Sequence, residues 1–392
     1  MPATELWYNH QTMKLIDRPP RVALFFPSTF TTNREVLQGI FRYVREHGPW
    51  RLHLVQGRDD EQRPALADLR SFDGVVACSR SLSPALVSAL DRGRIPTVAV
   101  DATPRLKTLV ATVTCDNGPI GRQAADWLVE RGFRDFAFVG TPRAMEWSLR
   151  RQKAYVRRLA EHGFGCAVFD KSRRGATLAG WLAKLPRPTA VFVANDVSAR
   201  QVLNACADAD LSVPRDVSVL SVDNDEEICE TATPPLSSIQ MTTEAAGYEA
   251  ARLLDAHLLG RNRPRRAPAK VVYTFAYVAE RQSAALMRGS DKFVERALNF
   301  IHLNYAHDFR IDDLAEALGL SRRMLEIKYK RVTGRSPHAE LLRYRLDRAK
   351  TLIVSTSKPL DAIASECGFT SACHLAHRFR EHFGQTPSSL RR

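Results

Sequence analysis

The sequence predicts a two-lobed α/β region over residues 21–282, a linker at 283–290 and an all-helical region over residues 291–392. Three observations support this: alternating apolar runs and helical patterns in the first region, only helical periodicity in the second, and one helical unit that occurs twice in the second. At 392 residues the chain also exceeds the roughly 250–300 residues at which a single core stops growing.

In the first region, short apolar runs alternate with amphipathic helical patterns. The runs begin at Arg21, Asp73, Ile95, Phe136, Thr189 and Val217, and the helical patterns begin at Asn33, Gly118 and Asp196. This alternation is typical of βαβ units and predicts parallel sheets with helices on both faces. A last apolar run, VVYTFAYV from Val271, follows a stretch rich in Pro and Arg.

Polar residues follow two of these runs. Asn195 and Asp196 end one apolar run, and Asp223 and Asn224 end another. Because ligands of open parallel sheets bind beyond the carboxyl ends of the strands, we expect a small-ligand site there, in the cleft of a two-lobed protein.

The charge balance predicts a polyanionic partner. The chain has 57 Lys and Arg against 43 Asp and Glu, a net charge of +14, which favours nucleic acid or an anionic membrane surface. No stretch approaches the roughly 18 apolar residues of a membrane span. The N-terminus has no apolar run of signal-peptide length, and the seven cysteines form no C-x-x-C pair. We therefore expect a cytoplasmic protein with reduced thiols.

The all-helical region contains the first copy of the repeated unit, RIDDLAEALGLSRRMLEIKYKRVTG from Arg310. Its apolar faces consist of Leu314, Ala315 and Leu318 in one helix and Leu325 and Tyr329 in the next. Gly319 is expected to end the first helix and Ser321 to cap the second. Helix, tight turn and capped second helix together are the helix-turn-helix pattern.

The second copy, PLDAIASECGFTSACHLAHRFREHFG from Pro359, repeats this pattern. The first helices are offset by 49 positions and the second helices by 50, which predicts a turn one residue longer. Between the copies, a single helix capped by Ser336 is predicted, with one apolar side that consists of Leu342, Leu346, Ala349, Leu352 and Ile353.

The spacing of the two copies matches the geometry of DNA. A connecting helix of about 20 residues is ~30 Å long, close to the ~34 Å of one turn of B-DNA. The region from Asp291 carries 18 Lys and Arg against 12 Asp and Glu. We therefore expect double-stranded DNA as the partner, with one helix of each copy in successive major grooves.

The segments SRRMLEIKYKRVTGRSP, RLDRAKTLIVSTSKPLDAIASECGF and HRFREHFGQTPSSLR resemble the DNA-binding domain of the AraC/XylS family of transcription regulators. The resemblance implies a sequence-specific DNA-binding regulator. It places base-reading residues early in each second helix, namely Arg322, Arg323, Glu326 and Ile327, then Ala372, Cys373, Ala376 and His377. Phosphate contacts are expected further along, at Lys330, Arg331, Arg378 and Arg380.

The side-chain types indicate how each helix would read bases. Arg322 and Arg323 can bind guanine O6 and N7, Glu326 can accept from cytosine N4, and His377 can donate. The alternative for the two arginines is a solvated surface charge. The second helix has Ala or Cys at three of its four reading positions, so its discrimination is expected to be weak and apolar, for example toward thymine methyl groups.

In the α/β region, DGVVA, TCDNGPIG, FVAND, VPRDVSVLSVDNDE and PPLSSI resemble the sugar-binding regulatory domains of the LacI/GalR family and the periplasmic binding proteins that share their fold. The resemblance implies a periplasmic-binding-protein-like sensor domain. Transferred to matching positions, the candidate ligand-binding residues are Arg34, Asp116, Trp147, Arg151, Asn195, Asp196 and Asp223.

Some of these residues have alternative roles. Trp147 is either a platform for a sugar ring or an ordinary core or surface aromatic residue, and Arg151 either binds ligand or pairs with a structural carboxylate. Asp196 is alternatively a helix N-cap. Met241 stands where the family often has glutamine, so the resemblance supports no sugar contact there.

The order of the two domains resembles that of xylose-responsive regulators. This resemblance, which includes TNREVLQGIFRYVREHGPW and the VAERQS junction, implies D-xylose or a similar pentose as effector. Our hypothesis is a transcription activator that acts as a homodimer, with RNA polymerase as a further partner. No cofactor is expected, and no metal site either, because His374 and His377 have no Cys or carboxylate to complete a ligand set.

Two other function classes remain open. A pentose-processing enzyme with an added DNA-binding domain would use Asp116, Asp196 and Asp223 as acid/base groups, although the sequence has no nucleophile motif or phosphate loop. A transport receptor would need a signal peptide, which the N-terminus does not resemble.

Overall fold

A computed structural model of the chain describes residues 18–27, 31–55, 69–78, 81–101, 104–143, 145–172, 175–260, 267–284, 292–307, 309–355 and 358–390. The chain divides into two compact units. Unit 1 comprises the described residues up to Asp116 and the segment Thr242–Thr274, and unit 2 comprises Asn117–Met241 and the described residues from Phe275 onward. Across the described ranges, every helix falls short of the length and apolarity that a bilayer crossing needs.

The strands in chain order are β1 (Arg21–Phe25), β2 (Arg51–Val55), β3 (Gly74–Cys78), β4 (Thr97–Val100), β5 (Leu109–Cys115), β6 (Asp135–Val139), β7 (Ala167–Val168), β8 (Thr189–Val193), β9 (Val217–Val222), β10 (Ser237–Met241), β11 (Ala269–Tyr273) and β12 (Phe275–Ala279). The helices in chain order are α1 (Thr31–His47), α2 (Pro84–Gly93), α3 (Asn117–Glu130), α4 (Glu146–Glu161), α5 (Leu178–Leu182), α6 (Asp196–Asp208), α7 (Glu226–Thr231), α8 (Thr243–Leu258), α9 (Lys292–Asn304), α10 (Ile311–Ala317), α11 (Arg322–Thr333), α12 (Pro337–Ser355), α13 (Leu360–Glu366), α14 (Ala372–Phe383) and α15 (Pro387–Leu390).

Each unit contains one six-stranded sheet. The order in unit 1 is β11-β5-β4-β3-β1-β2, and the order in unit 2 is β12-β10-β9-β8-β6-β7. All neighbouring strands run parallel except β10 and β12, which are antiparallel. Every residue of β3, β8 and β9 is buried, as expected when helices cover both faces of a sheet. The predicted two-lobed α/β architecture is confirmed.

One predicted element is divided in the structure. The apolar run from Val271 forms two strands, because β11 pairs with β5 in unit 1 and β12 pairs with β10 in unit 2. The break lies at Thr274. A continuous apolar run carries no signal of which strand accepts its hydrogen bonds, because those partners lie far away in sequence.

The predicted domain limits remain predictions. The proposed linker at 283–290 begins within a short 3-10 helix, Gln282–Ala284. Residues 285–290 lie outside the described part of the chain, and α9 begins at Lys292.

The helical region has two hydrophobic cores joined by α12. Leu314, Ala315, Leu325, Tyr329 and Leu341 belong to the first core. The second core includes Leu346, Ala349, Leu352, Ile353, Ile363, Ala364, Cys367, Leu375 and Phe379. Each helix-turn-helix unit therefore buries the apolar face that the sequence predicts, and α12 contributes side chains to both cores.

The duplication is visible in backbone geometry. Gly319 and Gly368 in the two turns have φ of 68° and 72°, and Gly334 and Gly384 at the ends of the second helices have φ of 75° and 71°. The Ser321 hydroxyl accepts from Met324 N–H at 3.4 Å, and the Ser371 hydroxyl accepts from His374 N–H at 3.1 Å. These are the helix ends that left-handed glycine and serine caps stabilise.

Candidate functional sites

Arg151 is the centre of a polar cluster in unit 2. Its side chain is only 3% exposed. Nη1 donates to the Ala194 carbonyl at 2.6 Å and lies 4.0 Å from Asp223 Oδ1, and the guanidinium lies 4.9 Å from the centre of the Trp147 ring. The fold thus brings together three predicted ligand-binding residues, Trp147, Arg151 and Asp223, which we call the Arg151 cluster, and a fourth, Asn195, directly follows Ala194.

Close helix packing positions Arg151 on α4. A Cβ atom on Gly121 of α3 would lie against the Arg151 carbonyl oxygen and 2.9 Å from Tyr155 N. Only glycine permits this approach. Arg151 Nε also donates to Asn117 Oδ1 at 2.8 Å at the start of α3, so both helices fix the guanidinium at the carboxyl ends of β8 and β9.

The loop after β9 has an unusual backbone conformation. Asp223 and Asn224 have φ of 112° and 52°, a region that residues other than glycine seldom adopt. Ser238 Oγ accepts from Asn224 N–H at 2.9 Å, and Asn224 Nδ2 donates to Gln240 Oε1 at 2.8 Å. Such strain persists only where surrounding contacts enforce it, and it concentrates at functional sites.

The structure separates the roles of Asn195 and Asp196. Asn195, rather than Asp196, is the N-cap of α6, because its Oδ1 accepts from Ser198 N–H at 3.1 Å. Asp196 is 1% exposed, and its carboxylate accepts from the Ser221 and Ser238 hydroxyls and from Asp225 N–H. Burial raises the pKa of Asp196. The carboxylate thus connects α6, β9, β10 and the start of α7 beneath the cluster.

The other two predicted ligand residues lie in unit 1. Arg34, on α1, donates through Nη2 to Thr31 Oγ1 at 3.0 Å. Asp116 is exposed directly after β5, where its N–H donates to the Tyr273 carbonyl at 2.8 Å. Arg34 therefore lies in the first turn of α1, and Asp116 lies directly after β5 of the unit 1 sheet.

Met241 contacts the Arg151 cluster directly. Its sulfur lies 3.3 Å from Arg151 Nη2. A thioether is a weak acceptor compared with the amide oxygen of glutamine, so this chain places a softer, more apolar group beside the guanidinium.

Sequence reasoning placed Asn224 at a strand end beside the expected ligand site, but it assigned no role to three other residues that organise this site, Asn117, Gln240 and Arg281. Arg281 is 2% exposed and donates to Asn224 Oδ1 at 2.9 Å. Its position in the VAERQS junction, two residues after the end of β12, was the available signal, since a charged residue rarely becomes buried without a partner.

The first helix-turn-helix unit presents a mixed surface on α11. Arg322, Arg323, Glu326, Ile327, Lys330 and Arg331 are all exposed. Arg322 donates to Glu326 Oε1 and to Asp312 Oδ2, both at 3.1 Å, so two predicted base-reading residues pair with each other. Met324 and Ile327 are 44% and 52% exposed, which adds an apolar area that can contact thymine methyl groups.

The second unit presents a smaller and less charged surface on α14. Cys373, His377 and Arg380 are exposed, whereas Ala372, Ala376 and Arg378 are partly exposed. Glu381 pairs with His377 Nε2 at 3.3 Å and with Arg378 Nη1 at 3.0 Å. This carboxylate neutralises part of the positive charge at the later positions of the helix.

Comparison with known proteins identifies both regions. Residues 125–284 match a periplasmic binding protein-like domain family, and residues 314–392 match a helix-turn-helix domain family. The xylose operon regulatory protein of Escherichia coli (strain K12) is 25% identical over 95% of this chain and 96% of its own length. The transcriptional regulator CelR of Thermobifida fusca is 30% identical over 57% of this chain and 69% of its own length.

Solved structures give the same result. The structure of the xylose-binding transcription activator XylR superposes with a TM-score of 0.59 at 25% identity, covering 95% of this chain and 98% of that one. The complex of the regulator CelR with cellobiose superposes with a TM-score of 0.54 at 25% identity, covering 67% of this chain and 84% of that one. The chain therefore belongs to the AraC/XylS family of transcription regulators, with a LacI/GalR-type, periplasmic-binding-protein-like domain before its helix-turn-helix domain.

Proposed function

We propose that this sugar-responsive transcription regulator recognises D-xylose or a similar pentose and activates genes for its use. The observation that carries the proposal is the Arg151 cluster, in which a buried guanidinium, a carboxylate and an aromatic ring lie together at the carboxyl ends of strands. Charged and amide groups can pair with vicinal hydroxyls, and an aromatic ring can cover an apolar sugar face. The names of the two xylose regulators among its relatives support a pentose.

The individual side chains suggest separate parts in sugar binding. Asp223 would accept from a hydroxyl, Arg151 would donate to one, and Trp147 would lie against the ring. The Asn195 amide oxygen caps α6, and its NH2 group would donate to the sugar. Arg34 and Asp116 stay predicted ligand contacts on the basis of the sequence, whereas Asp196 would hold the elements around the Arg151 cluster in place.

The contacts of two carboxylates in unit 2, Asp196 and Asp223, favour a sugar receptor over an enzyme. Asp223 faces Arg151 at 4.0 Å, and Asp196 accepts hydrogen bonds from two hydroxyls and a main-chain N–H. General acid/base catalysis needs a group that is able to exchange a proton with substrate, and both carboxylates already serve other partners.

Calorimetric titration with D-xylose, L-arabinose, D-ribose and D-glucose tests the sugar assignment. We expect binding of D-xylose by the full chain and a loss of at least about tenfold in Asp223→Asn, because a hydroxyl acceptor beside Arg151 would be weakened. Asp208→Asn, at the exposed far end of α6, is the matched control. Absence of binding to every pentose would refute the proposal, and detection of a converted pentose would favour the enzyme.

The DNA half of the proposal assigns α11 and α14 to major grooves of one duplex. Exposed Arg322, Arg323 and Glu326 would read bases in one groove, and the smaller residues of α14 would make weaker contacts in the next. Retardation assays with duplexes selected from a random library, with and without D-xylose, test this assignment. A selected consensus with a single conserved half-site would contradict readout by both helices.

We further propose a cytoplasmic homodimer that contacts RNA polymerase. Light scattering after size-exclusion chromatography tests the dimer, and transcription from a selected promoter with purified polymerase tests activation. A monomer at micromolar concentration, or transcription unaffected by sugar, would contradict these parts of the proposal.

A further inference from the structure

Within unit 2, the α/β part (residues 117–241 and 275–282), which we call the sensor lobe, meets the helical region through ion pairs of Arg348 on α12 with Glu226 and Glu230, whose side chains are 71% and 36% exposed. Arg348 donates to Glu230 Oε1 at 3.0 Å and to Glu226 Oε1 at 3.1 Å, and both glutamates lie on α7 of the sensor lobe. Its side chain is 13% exposed. The helix that connects the two helix-turn-helix units therefore presents a nearly buried guanidinium to two sensor carboxylates.

A second guanidinium shares one of these carboxylates. Arg281 Nε donates to the same Glu230 Oε1 at 2.9 Å. Its Nη1 donates to Asn224 Oδ1 at 2.9 Å and to the Leu236 carbonyl at 3.0 Å. A single buried side chain thus joins the residue next to Asp223 to the carboxylate that Arg348 uses.

Burial makes this chain of contacts sensitive to geometry. Arg281 is 2% exposed, and a buried charge is tolerated only while its hydrogen bonds are satisfied. A displacement of Asn224 would therefore oblige Arg281 to move with it or lose a hydrogen bond. Either response changes the geometry at Glu230, where Arg348 is attached.

This series of contacts begins at the proposed sugar site, with Asn224. Asp223 and Asn224 are consecutive and both have positive φ. A hydroxyl bound by Asp223 would act on a loop whose conformation is already held by contacts to Ser238 and Gln240. A loop that can pack in either of two arrangements would provide the two-state element that coupling between sugar binding and DNA binding requires.

We propose that Asn224, Arg281, Glu230 and Arg348 form a positioning chain that links occupancy of the Arg151 cluster to the DNA-binding region. This inference rests on the proposed function, because it assigns the route by which sugar alters DNA binding. Arg281, Glu230 and Arg348 are positioning residues in it and touch neither ligand. If this positioning chain operates, the affinities for DNA and for sugar are coupled through the contact between Glu230 and Arg348.

The test measures DNA affinity with and without saturating D-xylose in the full chain, using fluorescence anisotropy with a selected duplex. The variants are Arg348→Gln, Glu230→Gln and the double variant. A typical coupling changes affinity about 5- to 150-fold. In all three variants we expect the ratio of the DNA affinities with and without D-xylose to lie within about twofold of one. The double variant should lose no more coupling than either single one, since each of the three breaks the same contact between Glu230 and Arg348.

Two controls separate coupling from folding. Arg157→Gln removes an exposed arginine of α4 that pairs with Glu161 at 3.2 Å and should leave the sugar response unchanged. D-xylose affinity without DNA should also stay within about twofold in the Arg348 variants. Should Arg348→Gln fail to fold, Arg348→Lys provides the same test, because an ammonium cannot span two carboxylates as a guanidinium does.

The outcomes distinguish the two proposals. A wild-type protein whose DNA affinity ignores D-xylose overturns both. A wild-type protein that responds to D-xylose, with Arg348→Gln and Glu230→Gln responding equally, overturns the positioning chain alone. Loss of response in these variants, with sugar binding retained and Arg157→Gln unaffected, supports it.

Discussion

Arg343 Nη1 donates to Glu280 Oε2 at 3.0 Å, which joins α12 of the helical region to the end of β12 in the sensor lobe. Arg131, directly after α3, donates to the same oxygen. The Glu280 side chain is 9% exposed and that of Arg343 is 15% exposed. Although burial by itself raises the pKa of Glu280, the guanidinium groups of Arg343 and Arg131 hold it below its usual range.

Replacing Glu280 by Gln should strongly destabilise unit 2. The change leaves two largely buried guanidinium groups without their shared carboxylate, a situation that typically costs about 3–5 kcal/mol. Urea denaturation followed by tryptophan fluorescence measures the free energy of unfolding.

The matched control is Glu249→Gln, which removes the carboxylate of a surface pair with Arg252 whose side chains are 35% and 49% exposed. Surface pairs contribute about 0–1 kcal/mol. Equal losses in the two variants would contradict a structural role for the buried contact.

The stability of unit 2 should depend on pH through Asp347, which pairs with Arg343 at 2.9 Å. Burial raises the pKa of Asp347 from 3.8 to about 6, against the opposing effect of Arg343. The folded protein then holds this proton more tightly than the unfolded chain. The resulting stability is present below pH 3.8 and is lost as pH rises to about 6.

Asp347→Asn removes this dependence because the amide does not titrate in this range. Relative to the variant, the free energy of unfolding of the wild type should fall by roughly 1 to 3 kcal/mol between pH 4 and pH 6.5 and then level off. Urea denaturation at four pH values provides the measurement. A constant difference would show that the pKa of Asp347 is unchanged by folding, and a difference that grows with pH would show that folding lowers it; either result contradicts the prediction.

Gly121→Ala should disturb the Arg151 cluster indirectly, although Gly121 is not part of the cluster. The added methyl group would meet the Arg151 carbonyl oxygen and lie 2.9 Å from the Ala154 Cβ, which forces α3 and α4 apart. Overpacking of this kind costs about 1–3 kcal/mol. We expect lower thermal stability together with weaker D-xylose binding. Gly165→Ala, where a Cβ has no neighbour within 4 Å among the described residues, should change neither quantity.

Two substitutions on α11 should separate phosphate contact from base reading. Lys330→Ala should weaken binding to all sequences alike and reduce the slope of log affinity against log salt by about one. Arg323→Ala should cost about 1–3 kcal/mol on the selected site and relax the preference at one base pair.

Anisotropy titrations at several salt concentrations, on the selected duplex and on single-base variants, measure both effects. Lys184→Ala, an exposed lysine of the sensor lobe, is the control and should keep the wild-type slope. If Arg323→Ala weakened every duplex equally, the arginine would be a phosphate contact instead.

Much of the helical region was predictable because its information is local. The serine caps at Ser321 and Ser371 and the glycine turns at Gly319 and Gly368 are set by short-range backbone chemistry. The offsets of 49 and 50 residues are reproduced by the start of each helix, since α10 and α13 begin at Ile311 and Leu360, whereas α11 and α14 begin at Arg322 and Ala372.

The candidate ligand site was predicted only in part. Resemblance suggested Arg151 and Asp223, and the strand-end pattern suggested Asn224, but the contacts of Asn117 and Gln240 became visible only in the fold, because their partners are distant in sequence. The alternative role considered for Asp196 was wrong in detail, since the residue before it caps the helix and Asp196 itself connects several elements.

The sequence by itself determined the βαβ alternation, the two helix-turn-helix units and the residues at strand ends, since periodicity, caps and turns act over a few positions. Tertiary structure alone decided that the run from Val271 divides between two sheets. It also decided that Arg281 is buried between Asn224 and Glu230. Hydrogen-bond partners of buried charges are chosen by folding contacts across many residues, and no local pattern encodes them.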